Sequence, residues 1–235
     1  MHGMILAAGR GERMGELTAQ TPKPLLRVAG HYLIEYAISS LVKAGIHDIV
    51  INISYHGEQI KAALGDGKRY GATFFYSEEK ERLETGGGIF QALPMLGKET
   101  FLVMSSDIIT DYPLKQLSSK RDSLAHLIMV DNPTYHPRGD YGLLADKIDL
   151  HAHPTFTFAS IGLYHPDLFS GSKPGHFRLT QVLVPAIMKG QVTGEHYSGV
   201  WYNIGTQDDL DEANQRARED SNLRPLASET NTLSN

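Results

Sequence analysis

Two glycines and several charged residues stand close together near the start of the chain: Gly9-Arg10-Gly11-Glu12-Arg13-Met14 is followed by Thr21-Pro22-Lys23-Pro24-Leu25. Glycines let backbone N–H groups approach an anion closely, and Arg13 and Lys23 can neutralise a polyphosphate while charge moves during transfer. The proline rings on either side of Lys23 fix its backbone, which leaves less ordering for the moment of binding. Two common phosphate motifs are excluded. A dinucleotide fingerprint would need glycine where Met14 stands. A P-loop around Gly67-Lys68 would need glycine at Ala62 and a hydroxyl residue at Arg69. Farther along, the apolar run Phe101-Leu102-Val103-Met104 leads through two serines to Asp107. A carboxylate leaving a strand opposite a phosphate loop suits Mg²⁺, a hard ion that takes one or two carboxylates plus phosphate oxygens, although a lone aspartate after a strand is more commonly a helix cap or turn former.

The elements that must position these groups follow from periodicity. An uncharged apolar run from about Met4 to Ala8 reads as a buried first strand. Leu33, Ile34, Tyr36, Ala37, Leu41 and Val42 recur at helical spacing, and Gly45 ends that helix. Ile49–Ile53 and Thr73–Tyr76 read as strands on either side of a short helix from Gln59 to Leu64. This βαβαβ beginning implies an α/β fold, a doubly wound, mixed, mostly parallel sheet whose ligands collect at the carboxyl ends of the strands. Later, Leu124–Val130 and Phe156–Tyr164 read as strands and Thr180–Met188 as a helix despite Pro185; Val192–His196 and Val200–Asn203 read as short strands. Thr206 is placed to cap a polar helix from Gln207 to about Arg218. A single domain over 1–218 is expected, with 219–235 a polar, patternless tail that reads as disordered.

Three consecutive glycines, Gly86-Gly87-Gly88, open the helix that follows Leu83-Glu84-Thr85. Their cost in backbone entropy suggests that something flat packs against bare backbone there. Asn132, Arg138 and Asp140 stand on a Pro/Gly-shaped stretch whose mixed polar side chains could recognise a hydroxyl-rich ligand, as any surface loop could. Glu195 could do the same or be a solvated strand residue. His151 and His153, two apart and without a third ligand, read as a polar loop rather than a metal site.

Leu6-Ala7-Ala8-Gly9-x-Gly11-x-Arg13-Met14, with Thr18 and Pro22-Lys23-Pro24-Leu25, resembles the signature of sugar-1-phosphate nucleotidylyltransferases, and the likeness runs to about Leu210. The resemblance implies a Rossmann-like nucleotidyltransferase fold, similar to GT-A folds, that joins a nucleoside triphosphate to a sugar 1-phosphate and releases pyrophosphate. It implies nucleotide contacts from Ala7, Ala8, Gly9, Gly11, Glu12, Arg13 and Lys23, and base contacts from Glu84, Thr85 and Gly86. Arg13, Lys23 and Asp107 would be catalytic. Asp140, Asn132, Arg138 and Asn203 would meet the sugar or its phosphate, and Asp107 and Asn203 would hold Mg²⁺. The Glu-Thr-Gly-Gly-Gly-Ile form is similar to the subgroup that uridylates N-acetylmuramic acid 1-phosphate in cell-wall recycling. The chain departs from the family at Glu16, where many members have proline, and at Asn203, where most have aspartate. It also lacks a sugar-binding glutamate near Asp149–Thr155. A guanylyl- or thymidylyltransferase for a hexose or heptose, and a non-catalytic nucleotide-sugar-binding protein, stay open.

The bulk numbers fit. With 235 residues and 41% hydrophobic content the chain can bury a sizeable core, and a formal charge of -5 argues against a nucleic-acid partner. It has no cysteine, hence no disulfide framework, and no apolar run approaching the ~20 residues of a membrane span. A cytoplasmic protein acting on small molecules is expected, of an oligomeric state that these features do not specify.

Overall fold

The computed structural model describes residues 1–119, 123–219 and 225. The chain opens with strand β1 (Gly3–Leu6), the phosphate loop with a 3-10 turn at Glu12–Met14, a short helix α1 (Leu17–Gln20) and the hairpin β2 (Arg27–Val28) and β3 (His31–Tyr32). Helix α2 (Leu33–Lys43), β4 (Asp48–Ile53), α3 (Gly57–Leu64), β5 (Thr73–Glu78), α4 (Glu84–Leu96) and β6 (Phe101–Ser105) continue the alternation. Then come β7 (Ile108–Thr110), β8 (Ala125–Val130), the hairpin β9 (Tyr141–Leu144) and β10 (Lys147–Asp149), β11 (Thr155–Tyr164), α5 (Thr180–Met188), β12 (Val192–Tyr197), β13 (Trp201–Asn203) and α6 (Gln207–Glu219).

Among the described residues the main sheet has nine strands in the order β5-β4-β1-β6-β11-β8-β12-β10-β9. Ile5 stands level with Ile51 on one side and Met104 on the other, so β1 is flanked by parallel neighbours. The expected mixed α/β sheet is present, with parallel pairing in some parts and antiparallel pairing in others. Parallel pairing is confined to β5-β4-β1-β6 and to β8 with β12, whereas β11 runs against β6, β8 and β9. Connection length explains the difference, since helical crossovers return the chain parallel while the two-residue turn between Leu144 and Lys147 must reverse it.

Strand alternation sorts the core into two layers. Ile5, Ile49, Ile51, Leu102 and Met104 face α2 and α3, where they meet Ile34, Ile38, Leu41 and Ile60. Met4, Val50, Phe101 and Val103 face the other way, against Ile89 and Ala92 of α4 and Leu183 of α5. Each such fully buried aliphatic side chain contributes about 1.5–3 kcal/mol. A third cluster docks α6 through Leu210, Ala213 and Ala217 onto Met14, Val28, Leu33 and Tyr36. That docking brings the turn after β13 against the phosphate loop. Thr206 accepts from Asp209 N at 3.2 Å and Asp209 Oδ2 accepts from Gly205 N and Thr206 N, so the first turn of α6 is capped reciprocally. The expected tail, 219–235, lies outside the described residues apart from Glu219, which ends α6, and Pro225.

Candidate active site

The first strand is shorter than its apolar run, ending at Leu6, because the next N–H has a different partner. Ala7 donates to Asn52 Oδ1 at 2.8 Å. The loop that follows is locked from within. Gly11 has φ 66°, and a Cβ there would fall 3.0 Å from both Lys23 Cβ and Thr18 Cγ2, so conformation and space both require glycine. Thr18 donates its hydroxyl to Gly11 O at 3.0 Å and Gly15 O at 3.2 Å. Met14 is sunk in the α6 cluster, and the neighbouring Arg13 lays its guanidinium across Gly205, where a Cβ would approach Nη2 to 2.9 Å.

The proline-flanked lysine sits on a 3-10 turn, Lys23–Leu25, and is buried. Its Nζ donates to Asp107 Oδ2 at 2.5 Å, a charge-assisted contact between residues far apart in sequence. Asp107 is held by its neighbours: Ser106 N donates to Leu6 O at 3.0 Å, and Ile204 N donates to Asp107 O at 2.9 Å. Arg13, Lys23 and Asp107 therefore converge at the carboxyl edge of β1 and β6.

Beneath the loop lies a buried polar chain that the sequence reading passed over. Asn52 Nδ2 donates to Glu79 Oε1 at 2.6 Å, and Leu83 N donates to Glu79 Oε2 at 3.1 Å. Burial pushes the Glu79 carboxyl above its usual range, against the pull of those two hydrogen bonds. The chain thus ties the exit of β1 to β4 and to the start of α4. Glycines 86–88 are explained by the protein's own packing. A Cβ on Gly86 would meet the Phe177 ring at 2.5 Å, one on Gly87 would meet Gly175 O at 2.2 Å, and one on Gly88 would meet Glu79 Oε1 at 2.5 Å. The bare backbone expected to face something flat faces residues 175–177 and Glu79 instead.

A cleft of ≈ 360 Å³ opens over these residues. Ala8, Gly9, Gly11, Glu12, Arg13 and Lys23 line it on one side, with Glu84, Thr85 and Asp107 also on its wall. Ala7 and Gly86 do not line it, the first being buried against Asn52 and the second under Phe177. A second cavity of ≈ 340 Å³ adjoins the first and shares Leu6, Glu84, Thr85 and Ser105 with it. Asp140 lines this one, its Oδ2 accepting from Phe158 N at 2.8 Å and its Oδ1 lying 3.2 Å from His136 Nε2. The adjoining wall comes from a bulge in β11, where register shifts between Phe158 and Gly162 and Ser160 takes φ 57°.

Asn132 and Arg138 line neither cavity. Asn132 gives its amide to Thr155 O at 3.0 Å and takes the Thr157 hydroxyl at 2.9 Å, while the Arg138 carbonyl accepts from Thr155 Oγ1 at 2.7 Å. Both shape the loop that presents Asp140. Asn203 ends β13 level with Ile108, and Tyr135 hydrogen-bonds it within the electrostatic reach of Arg13 and Asp107. Glu195 is taken up elsewhere, accepting the Tyr112 hydroxyl at 2.5 Å and lying 3.5 Å from buried His126 Nε2. Among the described residues no three His, Cys, Asp or Glu side chains cluster as a metal site, which includes His151 and His153. No described helix is long and apolar enough to cross a membrane.

Besides Asn52 and Glu79, the sequence reading missed Ser105, Ser106, Arg82 and Gly205 in the first cleft and Ser160, Arg178 and Thr180 in the second. Asn52 did carry a signal, as the single polar residue inside an apolar strand. Ser105 and Ser106 lead directly into Asp107 and Gly205 closely follows Asn203, whereas Arg82, Ser160, Arg178 and Thr180 carry no signal without the fold.

Comparison with known proteins agrees with this architecture. Residues 2–220 match the nucleotidyl transferase family. The N-acetylmuramate alpha-1-phosphate uridylyltransferase of Neisseria meningitidis serogroup B is 44% identical over 223 residues, covering 91% of this chain and 96% of that protein. The mannose-1-phosphate guanyltransferase of Aspergillus fumigatus is 30% identical over 89% of this chain but only 62% of its own length. A crystal structure described as a glucose-1-phosphate thymidylyltransferase from Bacillus anthracis, in complex with a sucrose, superposes with a TM-score of 0.83 at 24% identity, covering 94% of this chain and 96% of that one. With the family matched across nearly its whole length, the chain belongs to the nucleotidyl transferases, among the sugar-1-phosphate nucleotidylyltransferases.

Proposed function

We propose that the protein transfers a uridylyl group from UTP to N-acetylmuramic acid 1-phosphate, forming UDP-N-acetylmuramic acid and pyrophosphate. The observation that carries this reading is the 44% identity to a uridylyltransferase of that specificity over nearly the full length of both chains. The convergence of Arg13, Lys23 and Asp107 beside a glycine loop gives it a mechanism.

An oxygen of the sugar phosphate attacks the α-phosphorus of the triphosphate in line. The new P–O bond forms as the bond from that phosphorus to the α,β-bridging oxygen breaks, and pyrophosphate leaves with the electron pair. The attacking group is already an anion, so no side-chain nucleophile or base is required. Catalysis consists of positioning and charge neutralisation. Backbone N–H groups around Gly9 and Gly11 receive the triphosphate, and Arg13, fixed across Gly205, meets its departing end. Lys23 reaches between the phosphates of the two reactants as its bond to Asp107 loosens. The second cavity takes the sugar, and Asp140 and the β11 bulge face it.

Asp107, in the turn before β7, and Asn203, at the end of the adjoining β13, offer one carboxylate and one amide oxygen, a donor set suited to a hard cation that draws its remaining oxygens from phosphates and water. Mg²⁺ there would supply charge neutralisation at the reacting phosphates. An amide in place of a second carboxylate makes for a weaker site than an aspartate pair. The substrates and the absence of cysteine suit the cytoplasm, and the product suits recycling of cell-wall sugars.

The test is pyrophosphate release with Mg²⁺ across UTP, GTP, dTTP, CTP and ATP, each against N-acetylmuramic acid, N-acetylglucosamine, glucose and mannose 1-phosphates. Turnover greatest with UTP and the muramyl phosphate is expected. Preference for another pair moves the substrate while leaving the chemistry. No turnover with any pair, from folded protein that still binds a nucleotide sugar, overturns the reading.

A further inference from the structure

The second cavity has an apolar floor, formed by Leu6, Val103, Tyr164 and Leu183, beneath a polar rim. Among the described residues that rim carries one cation, Arg178, which no feature of the chemistry described so far uses. Its backbone is held firmly. Phe177 N donates to Leu83 O at 3.1 Å, Phe177 O accepts from Gly87 N at 3.0 Å, and Arg178 N donates to Gln181 Oε1 at 2.9 Å. The Phe177 ring stands edge-on to Phe90 at 6.2 Å. Arg178 therefore leaves a clamped segment at a defined point on the rim.

Its guanidinium has no ion pair or hydrogen bond among the described residues. Arg82, by contrast, lies 3.4 Å from Glu84, and Arg216 lies 2.8 Å from Glu212. Nor are the rim's own carboxylates available to Arg178. Asp140 accepts from Phe158 N and faces His136, and Glu84 lies between Arg82 and His176, 3.6 Å from the latter. A solvent-exposed arginine, unpaired among the described residues and anchored on the rim of a sugar-sized cavity, is free to meet a planar anion of the ligand.

We propose that Arg178 is a specificity-determining residue that reads a carboxylate carried by the acceptor sugar. This rests on the function proposed above. N-Acetylmuramic acid differs from N-acetylglucosamine by a lactyl ether that ends in a carboxylate, and a guanidinium fork matches that group with two parallel N–H···O bonds. The 1-phosphate points to the first cleft and the lactyl group to the rim, so the two anionic ends of the acceptor meet separate cations. A sugar lacking the lactyl group gives this exposed guanidinium no anion to pair with, so it forgoes the charge-assisted contact that the muramyl phosphate gains.

The experiment compares wild type, R178A and R178K, each with UTP and Mg²⁺, on N-acetylmuramic acid 1-phosphate and N-acetylglucosamine 1-phosphate. The preference for the muramyl phosphate, as the ratio of the two kcat/KM values, should fall roughly 10–100-fold in R178A, the range expected for one charge-assisted pair. The loss should lie in KM for the muramyl phosphate, and R178K should retain part of the preference. A ratio unchanged in R178A, from an enzyme that uses the muramyl phosphate, overturns the role of Arg178 and leaves the proposed function standing. A wild type without preference for the muramyl phosphate overturns the proposed substrate and Arg178 with it.

Discussion

The two adjoining cavities are built on different principles. In the first, key polar groups are already engaged by the protein: Lys23 by Asp107 and Asn52 by Glu79, with Arg13 laid over the bare backbone of Gly205. In the second, an apolar floor is ringed by side chains from distant segments, and Arg178 stays unpaired among the described residues. The contrast matches what each would have to do. A triphosphate is the same in every reaction of this class, so its site can be preorganised and stiff. The sugar varies between relatives, so its site changes by substitution on a rim that carries little of the fold's stability.

The sharpest way to break this comparison is to remove one member of the first cleft. Arg13→Ala or Asp107→Ala should lower turnover roughly 10²–10³-fold, as for loss of a single preorganised charge partner. Melting temperature should stay close to wild type in Arg13→Ala, whereas Asp107→Ala leaves the buried Lys23 ammonium without its partner and should lower it as well. Unchanged turnover in either variant would remove the cleft from the mechanism.

Two glycines separate the regions more finely. At Gly205 an added Cβ meets the far end of the flexible Arg13 side chain, which can move aside. Gly205→Ala should therefore fold normally yet lose roughly 10–100-fold in kcat, since a displacement of about 1 Å can cost that much. At Gly87 the obstacle is the Gly175 backbone oxygen, 2.2 Å away. Alanine in a helix interior would ordinarily gain about 1 kcal/mol over glycine, but forcing the 175–177 segment off α4 costs about 1–3 kcal/mol and should prevail. Gly87→Ala is expected to lower stability in urea unfolding and to raise KM for the sugar phosphate more than for UTP. Equal effects on both substrates would mean that the two cavities are not separable in this way.

The same contrast governs what was legible in the sequence. The first cleft could be read because most of its chemistry falls within residues 6–25, with Asp107 marked by the apolar run before it. Strand and helix periods placed those groups at one sheet edge, and α2, α4 and α5 formed where the patterns put them. The second cavity could not be read. Ser160 faces it because β11 bulges, and Arg178 reaches it because residues 175–177 pack on two glycines, Gly86 and Gly87. Neither fact has a local signature, and the β9–β10 hairpin that carries the segment after Asp140 was hidden in what reads as a loop. The glycine triplet shows how a correct inference about geometry can miss its object. Close approach was required, but by the protein itself.

A smaller effect is expected at the junction of Asp107 and Asn203. Restoring a second carboxylate with Asn203→Asp should lower the Mg²⁺ concentration needed for half-maximal activity several-fold, since acidic ligand count tunes affinity for hard cations. The variant should also shift the Tyr135 contact, because an amide N–H is lost there. A titration of activity against Mg²⁺ checks this, and an unchanged midpoint would place the cation away from residue 203.

The smallest effect tests whether the first cleft is stiff at its base. Glu79 is buried and its carboxyl is held above the usual range by desolvation, in spite of the hydrogen bonds from Asn52 and Leu83 N. For an acid raised in this way, folded and unfolded states are both protonated at low pH. As pH rises through the ordinary carboxylate value the unfolded chain loses its proton first, so folding stability falls until Glu79 itself ionises, and the difference then stays constant. Glu79→Gln removes the titration, although its single amide oxygen can serve only one of the two donors and shifts stability by a pH-independent amount. Denaturant unfolding across that window should show wild type losing stability relative to Glu79→Gln as pH rises. If the two profiles run parallel, Glu79 titrates alike in both states, and the polar chain from Ala7 through Asn52 is more hydrated than its packing under Gly88 implies.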